Sequence, residues 1–519
     1  MKHSDYIHPY AGKDVPWLLR AQAEKNPDGV HLAWEPFEGK ACTWTYSQFL
    51  GEVEALAGGL AARGIGTGDR VLIHMNNCPE FLFAWHACAL LGAVAVTTNP
   101  RSAASEMEYF IDHSQVRYAL TQPEFLELIR GRRGDIEWIA STISNSDSAQ
   151  EFDIGDAIPY GELVGDAADI PKRQADPMAP VSVQYTSGTT SRPKGVVWTH
   201  ANALWGGQVG TTHNAISSAD TAIVFTPLCH TNAMSWAHFP VLWSGGTMVL
   251  QPKFSASRFW PVALKHRCTW ANVIPFAVGA LASIEVPEKH DFRFWVVGAG
   301  NVGIAEQLFR LPFVGAWGMT ELITHGTYTP IHLPCPEMSM GMPTPELQLK
   351  VVDESGEQVS PGETGLLKVK GVRGVSLFAE YLKNPEATDG SYDEDGWFDT
   401  GDRVYQMADG HLRFADRSKD MLKVGAENVA ASEIEAVVAT VPGVMENAVV
   451  GKPDPMLDEV PVAFVRAVNA GDELAVQIIE ACEKNLANFK VPREVHFLEE
   501  FPRAELNKIA KNKLRDQLK

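Results

Sequence analysis

Apolar residues recur at helical spacing in two early stretches: Val15, Leu18, Leu19 and Ala23, then Phe49, Val53, Leu56, Leu60 and Ala61. A short strand-like run, Val30-Trp34, lies between them. Strands and helices then alternate, with strands at Arg70-Met75, Ala93-Thr98 and Tyr118-Thr121 and helices at Pro79-Leu91 and Ser105-His113. That alternation predicts a parallel sheet with helices on both faces. Residues 130 to 176 are polar and predict an irregular connector, with Asn145-Ser146-Asp147-Ser148 as a surface loop. A second block of the same style follows, with strand-like runs Thr221-Thr226, Thr247-Leu250, Trp270-Pro275 and Phe294-Gly298.

From about residue 340 the texture changes to short strands, Leu347-Val352, Thr364-Lys370 and His411-Ala415, set between Gly/Pro/Asp turns, as in a small barrel or sheet. Residues 420 to 519 predict a compact α+β unit: helix Ser432-Thr440, strands Glu446-Val450 and Val460-Val465, and helix Ala475-Leu486. A domain boundary is placed at 416–419, giving domains 1–416 and 417–519.

At 519 residues the chain exceeds what one core usually supports. A formal net charge of −20 disfavours a nucleic-acid role, so an anionic ligand must be met by locally placed cations and backbone amides. The longest apolar run, Phe81 to Val96, holds His86 and Gly92 and is too short to span a bilayer; it reads as a core helix ended by Gly92 and then a buried strand. Met1-Lys2-His3-Ser4-Asp5-Tyr6 has no apolar signal core. The seven cysteines lack Cys-x-x-Cys spacing, which fits a reducing compartment. A cytoplasmic protein is expected, with no membrane span.

The stretch Tyr185-Thr186-Ser187-Gly188-Thr189-Thr190-Ser191-Arg192-Pro193-Lys194-Gly195 follows the apolar Val181-Ser182-Val183-Gln184 and runs into Val196-Val197-Trp198-Thr199-His200. Hydroxyls, close-approaching glycines and one lysine suit a polyphosphate, although the Walker spacing is absent and a plain hairpin turn has the same composition. Gly315-Ala316-Trp317-Gly318-Met319-Thr320-Glu321 ends an apolar strand; its carboxylate can hold magnesium and its indole can stack on a purine, or both can be structural. Gly396-Trp397-Phe398-Asp399-Thr400-Gly401-Asp402 reads as a turn whose Asp402 can accept ribose hydroxyls, or as an ordinary Asx turn. Lys508 is one of several lysines near a C-terminal helix start.

Their order is what carries meaning. Together with Trp44-Thr45-Tyr46, Gly68-Asp69-Arg70-Val71 and Asn77-Cys78-Pro79-Glu80-Phe81, these motifs resemble the signature set of the adenylate-forming superfamily: acyl- and aryl-CoA synthetases, firefly-type luciferases and peptide-synthetase adenylation domains. The resemblance spans nearly the whole chain. It implies an α/β fold: a large N-terminal domain of two stacked αβαβα-type subdomains plus a small β-barrel, and a mobile α+β C-terminal domain. It also implies ATP, Mg²⁺ and coenzyme A as cosubstrates and cofactor, and a small-molecule carboxylic acid as substrate. The oligomeric state stays open, with a homodimer as the expectation carried forward.

Residue by residue, the resemblance assigns Thr186, Ser187, Gly188, Thr189, Thr190 and Lys194 to the β- and γ-phosphates of ATP. Gly298, Ala299 and Gly300 would pack on adenine, with Trp317 stacking and Gly318 beside it. Thr320 would contact the α-phosphate and Glu321 the magnesium, while Asp402 and Arg417 would hold the ribose. Lys419 would be the hinge, Lys508 the catalytic lysine, and His230 a residue between the acyl and CoA channels. Gly425 would line the pantetheine tunnel, and Asn232, Val273, Gly300, Gly318 and His325 the acyl pocket. The chain departs from the usual pattern at Trp317 for tyrosine, Gly315 for asparagine, Asn507 for the glycine before the lysine and Ala431 for a proline.

Phe254-Ser255-Ala256-Ser257-Arg258-Phe259-Trp260, Lys370-Gly371-Val372-Arg373-Gly374 and Asn384-Pro385-Glu386-Ala387-Thr388 look most like the carnitine/crotonobetaine and bile-acid CoA ligase branch. The pocket segments 230–236, 272–276, 298–302 and 317–326 contain no acidic residue besides Glu321. A cationic head would lack a countercharge there, which favours a bulky apolar acid such as a bile or sterol side-chain acid, or a medium-chain fatty acid. A carnitine-type acid, or a carrier-protein phosphopantetheine as acceptor in place of CoA, are the alternatives.

Overall fold

The apolar run beginning near Phe81 forms the helix Pro79–Leu91, with proline at its first turn and Gly92 closing it at φ +71°. A left-handed residue at this position suits glycine, and a helix apolar on every side must be buried, as this one is. Elsewhere polar caps set the starts. Asp14 accepts from the Trp17 amide before Val15–Lys25. Thr45 with Gln48, and Thr199 with Asn202, form reciprocal capping boxes before Tyr46–Ala62 and His200–His213.

The computed structural model describes residues 8–102, 104–131, 136–186, 193–298, 302–417, 421–424, 427–454, 457–486, 488–504 and 508–518. Their contacts divide the chain into two units, one formed by residues up to 186, 193–348 and 370–397, the other by 349–369 and 398–519.

The first unit holds the two predicted α/β blocks. One sheet runs Glu380–Tyr381, Lys194–Thr199, Pro180–Thr186, Val94–Thr97, Arg70–His74, Tyr118–Thr121, Trp138–Ser141, Ile158–Pro159. Its strands are parallel from Pro180–Thr186 to Ile158–Pro159. Trp138–Ser141 corrects the irregular connector expected over residues 130 to 176. Its Ile139 and Ala140 are buried, but four residues among polar neighbours give too short a pattern to read. The other sheet runs Met342–Pro343, Thr327–Tyr328, Phe313–Trp317, Phe294–Val297, Trp270–Val273, Thr221–Val224, Thr247–Leu250, Val30–Trp34, Cys42–Thr45, and is parallel from Phe313–Trp317 to Val30–Trp34.

In the second unit, strands Gln348–Val352, Thr364–Lys370, Phe398–Gln406 and Leu412–Arg417 form a four-stranded sheet in that order, where a small barrel or sheet is expected. The segment read as a turn from Gly396 to Asp402 is corrected: the turn ends at Gly396, and Asp402 lies inside the strand Phe398–Gln406. A further sheet orders Glu427–Ala430, Met421–Val424, Asp458–Ala467 and Val444–Asp454, with Glu494–Phe497 alongside Asp458–Ala467. The helices Ala431–Val438 and Asp472–Asn485 cover its apolar face through Ile434, Val438 and Ile478.

Three buried histidines meet in the first unit. His86 Nε2 lies 2.8 Å from His238 Nε2, and the His31 ring centroid is 5.6 Å from that of His238. Burial holds His238 down to about 3, and holds His31 and His86 well below the usual histidine range, with His238 adding to both. These rings are neutral when folded and gain protons on unfolding once the pH drops below 6.5. The unfolded chain then binds more protons, so stability falls as pH goes from 6.5 toward the folded values. Denaturant melts are expected to show a lower midpoint at about pH 5 than at about pH 7.5, and a smaller difference when His86 is replaced by leucine.

Candidate active site

In a parallel sheet, ligands gather outside the carboxyl ends of the strands, where the chain order switches direction. In the second block Thr221–Val224 is flanked by Thr247–Leu250 on one side and Trp270–Val273 on the other. The predicted residues stand at this edge. His230 follows Thr221–Val224, Asn272 and Val273 end Trp270–Val273, Gly298 follows Phe294–Val297, and Trp317 ends Phe313–Trp317 with Gly318 to Glu321 beyond it. Ala299 and Gly300 lie outside the described residues. Among the described residues, a Cβ at Gly298 would meet no atom within 4 Å, which leaves room for a flat ligand against its backbone.

The loop from Thr226 to His230 is held by Asn77, which follows a strand of the other sheet. Its Nδ2 donates to the carbonyls of Thr226 at 3.0 Å and Gln251 at 3.1 Å, and its Oδ1 accepts from the Leu228 amide at 2.9 Å. Asn99 Nδ2 donates to His230 Nε2 at 3.1 Å, fixing the ring. Asn232 accepts from Thr226 Oγ1 at 2.8 Å, and its carbonyl accepts from Asn272 Nδ2 at 3.2 Å. These asparagines tie the ends of two neighbouring strands.

The hydroxyl-rich loop joins Pro180–Thr186 to Lys194–Thr199, with Thr186 and Lys194 paired in register and the Thr186 hydroxyl donating to the Lys194 carbonyl at 3.4 Å. Ser187, Gly188, Thr189 and Thr190 lie outside the described residues. Lys194 Nζ sits 4.5 Å from the Tyr381 ring centroid, a cation–π contact, and the Tyr381 hydroxyl donates to Glu321 Oε1 at 2.9 Å. Burial first, and then the Glu321 carboxylate, hold that hydroxyl protonated far above the usual tyrosine range. The loop lysine, a buried tyrosine and the strand-end carboxylate are thus one connected group. The Trp198 indole donates to the Thr320 carbonyl at 2.9 Å, and Thr231 Oγ1 lies 3.4 Å from Thr320 Oγ1. Ile323 closes the short turn Thr320–Leu322 at φ +63°, a left-handed position costly for a β-branched residue.

Trp317 is buried, and its ring packs so closely on Gly326 that a Cβ there would lie 2.7 Å from it. A Cβ at Gly318 would lie 2.5 Å from the Thr324 carbonyl and 2.8 Å from the Trp236 ring, so only glycine fits. His325 is buried against Trp236, with ring centroids 4.4 Å apart.

The other predicted residues belong to the second unit. Asp402 is buried and is the register partner of Arg417 across antiparallel strands, so the two proposed ribose ligands are brought opposite one another. Lys508 is exposed on a loop closed by the Ala504 amide donating to the Lys508 carbonyl at 2.8 Å and by a bridge between Arg503 and Ile509. Arg503 clamps the base of this loop, its Nη1 and Nη2 reaching Glu446 Oε1 and Oε2 at 2.5 and 2.6 Å. On the role that the resemblance implies for Lys508, replacing Arg503 by leucine is expected to slow acid-dependent pyrophosphate release about 10-fold or more, because a small misplacement of a positioned group is costly. Stopped-flow measurement of that step would check it. Gly425, between the paired strands Met421–Val424 and Glu427–Ala430, and Lys419 lie outside the described residues.

Sequence reasoning missed Tyr381, Asn99 and Trp198. Each reaches the site from a distant segment, and none has a local signature.

The AMP-binding enzyme family matches residues 19–382, and the AMP-binding enzyme C-terminal domain matches residues 433–508. The crotonobetaine/carnitine–CoA ligase of Proteus mirabilis is 34% identical over 505 residues, covering 93% of this chain and 95% of that protein. The structure of the O-succinylbenzoate coenzyme A synthetase of Bacillus subtilis in complex with AMP superposes with a TM-score of 0.85 at 25% identity, covering 97% of this chain and 99% of that one. The same enzyme in complex with ATP and magnesium ion gives 0.83 at 25% identity, covering 96% of this chain and 99% of that one. With family matches across both parts of the chain, this protein belongs to the AMP-binding, adenylate-forming enzymes and stands among their acid–CoA ligases.

Proposed function

We propose that the protein joins a largely apolar carboxylic acid, such as a bile or sterol side-chain acid or a medium-chain fatty acid, to coenzyme A in two steps. In the first, the carboxylate attacks the α-phosphorus of ATP, giving an acyl-adenylate and pyrophosphate. In the second, the CoA thiol attacks the acyl carbon, giving the thioester and AMP. The observation that carries this reading is the gathering of His230, Asn272, Gly298 and the Trp317–Glu321 stretch at the carboxyl edge of one sheet.

Two anions must meet in the first step, so local positive charge governs its rate. Lys194 and the loop hydroxyls take the outer phosphates, Thr320 the α-phosphate, and Asp402 with Arg417 the ribose. Lys508 bridges the carboxylate and α-phosphate oxygens as charge shifts to the leaving group. Glu321, a buried carboxylate with a hydroxyl partner, is a suitable oxygen ligand for magnesium. Bound there, Mg²⁺ would neutralise phosphate charge. The thiol cannot enter while Lys508 occupies that space. A rotation about Lys419, between domains 1–416 and 417–519, exchanges Lys508 for the Gly425 loop. His230 stands between the acyl and CoA channels.

The acyl wall is apolar and aromatic, lined by Val273, Trp236 and His325 and shaped by Gly318. The printed name of the Proteus mirabilis relative favours a second reading, a carnitine-type acid. Among the described residues no helix is long and apolar enough to cross a membrane; a cytoplasmic homodimer is the proposed setting. Pyrophosphate release and CoA-thiol loss, followed together across bile, sterol side-chain, fatty, aryl and carnitine-type acids, test the reading. Both signals with a bile, sterol or medium-chain acid are expected. Pyrophosphate without thiol loss would point to a carrier-protein acceptor, and silence across the panel would overturn the reading.

A further inference from the structure

Next to the predicted acyl pocket, a polar chain that the reaction does not use runs from the half-buried Glu346 and His213 to the buried His325. Glu346, on the loop after Met342–Pro343, accepts from His213 Nε2 at 3.2 Å. His213 Nδ1 lies 3.4 Å from His325 Nδ1. Tyr328 packs against both rings, at 5.1 Å from His213 and 4.9 Å from His325, and is anchored by its hydroxyl donating to Asn214 at 2.7 Å. His325 Nε2 and Trp236 Nε1 are both buried and have no hydrogen-bond partner among the described residues. Two unsatisfied polar atoms on rings in edge contact, in a wall expected to face the acid, are costly unless a ligand meets them.

Hydrogen-bond logic fixes what that ligand must offer. A carboxylate only accepts, so Glu346 places the His213 proton on Nε2. In the neutral pair, His213 Nδ1 then accepts, and the proton between the rings belongs to His325 Nδ1. Burial holds His325 well below the usual histidine range, which keeps it neutral. Its Nε2 is therefore a bare acceptor, on a ring in edge contact with an indole whose N–H can only donate. A hydroxyl satisfies both, because it donates one hydrogen bond and accepts another. A carbonyl serves the indole alone, and an ammonium serves the imidazole alone.

We propose that His325 and Trp236 read a hydroxyl on the acyl chain, with Glu346 and His213 as positioning residues that set the tautomer, so that the enzyme selects hydroxylated acids over their deoxy twins. This rests on the CoA-ligase reading above. It also changes what the sequence implied about substrate: the wall is apolar with one built polar mark.

The test is acid-dependent ATP–pyrophosphate exchange with matched pairs, a hydroxylated sterol side-chain acid and a hydroxylated medium-chain fatty acid, each against its deoxy twin. At least one pair is expected to differ about 100-fold or more in kcat/KM, since a site built to bond a hydroxyl rejects an analogue lacking it. In Glu346→Leu the ratio is expected to fall about 10-fold, with Glu346→Asp restoring part of it. Exchange with both members of every pair at rates within about threefold would overturn the inference and leave the ligase reading standing, because that spread is no more than a methylene's worth. Silence with every acid would overturn the sterol and fatty-acid substrate reading and the inference with it. Independently of turnover and of how the variants fold, ¹⁵N spectra of histidine-labelled wild-type enzyme are expected to show His325 protonated at Nδ1; protonation at Nε2 would overturn the proposal.

Discussion

Replacing Lys508 with alanine is expected to slow acyl-adenylate formation about 10²–10³-fold while sparing transfer from a preformed acyl-adenylate to CoA. The reason is charge. The carboxylate and the α-phosphate repel as they approach, and in the transition state charge passes to the leaving pyrophosphate. In the proposed reaction the Lys508 ammonium, on a loop whose base Arg503 and Glu446 clamp, offsets that charge without a protein nucleophile. The thioester step has no such encounter, since the thiol attacks an already activated acyl group. Single-turnover assays of the two half-reactions would separate them. Equal losses in both would show that the lysine serves the fold of its loop rather than adenylation.

Glu321→Gln is expected to lower kcat/KM for adenylation about 10²-fold and to raise the magnesium concentration needed for half-maximal rate. The substitution keeps shape and keeps an oxygen that can accept from Tyr381, so the melting temperature should move little. Glu321→Ala adds a second effect, leaving the buried Tyr381 hydroxyl without that acceptor at a cost of about 1–3 kcal/mol. A magnesium titration with a thermal melt on both variants divides the two roles. If glutamine supports wild-type rates at low magnesium, Glu321 is not the metal ligand.

The sequence shows the element types well where burial is total. Pro79–Leu91, Tyr118–Thr121 and Thr247–Leu250 match their predicted limits, because continuous apolar runs leave few alternatives. Trp138–Ser141 was hidden by its length, and Phe398–Gln406 by the glycines and aspartates at its start. The proposed site rests on motifs in order rather than on any one of them, since Lys508 alone is one of several lysines near a helix start. Its supports were not legible in the sequence. Tyr381 reaches Glu321 across 60 residues, Asn99 reaches His230 across 131, and Glu346 reaches His213 across 133. Such pairings are made by sheet topology, which periodicity does not encode. The pocket segments hold no acid besides Glu321, yet the Glu346 carboxylate reaches His325 through the imidazole of His213.

Asn77 has a consequence for how this protein can be taken apart. The two α/β blocks each carry their own apolar core, and by size and style either could pass for an exchangeable module. One side chain from the first nevertheless supplies three buried hydrogen bonds to the second. Prising the blocks apart strands those backbone groups together, so the pair should melt in one cooperative transition. A chimera that swaps one block for a homologue's inherits a foreign clasp, and will fold only if the asparagine and the loop it grips are exchanged as a set.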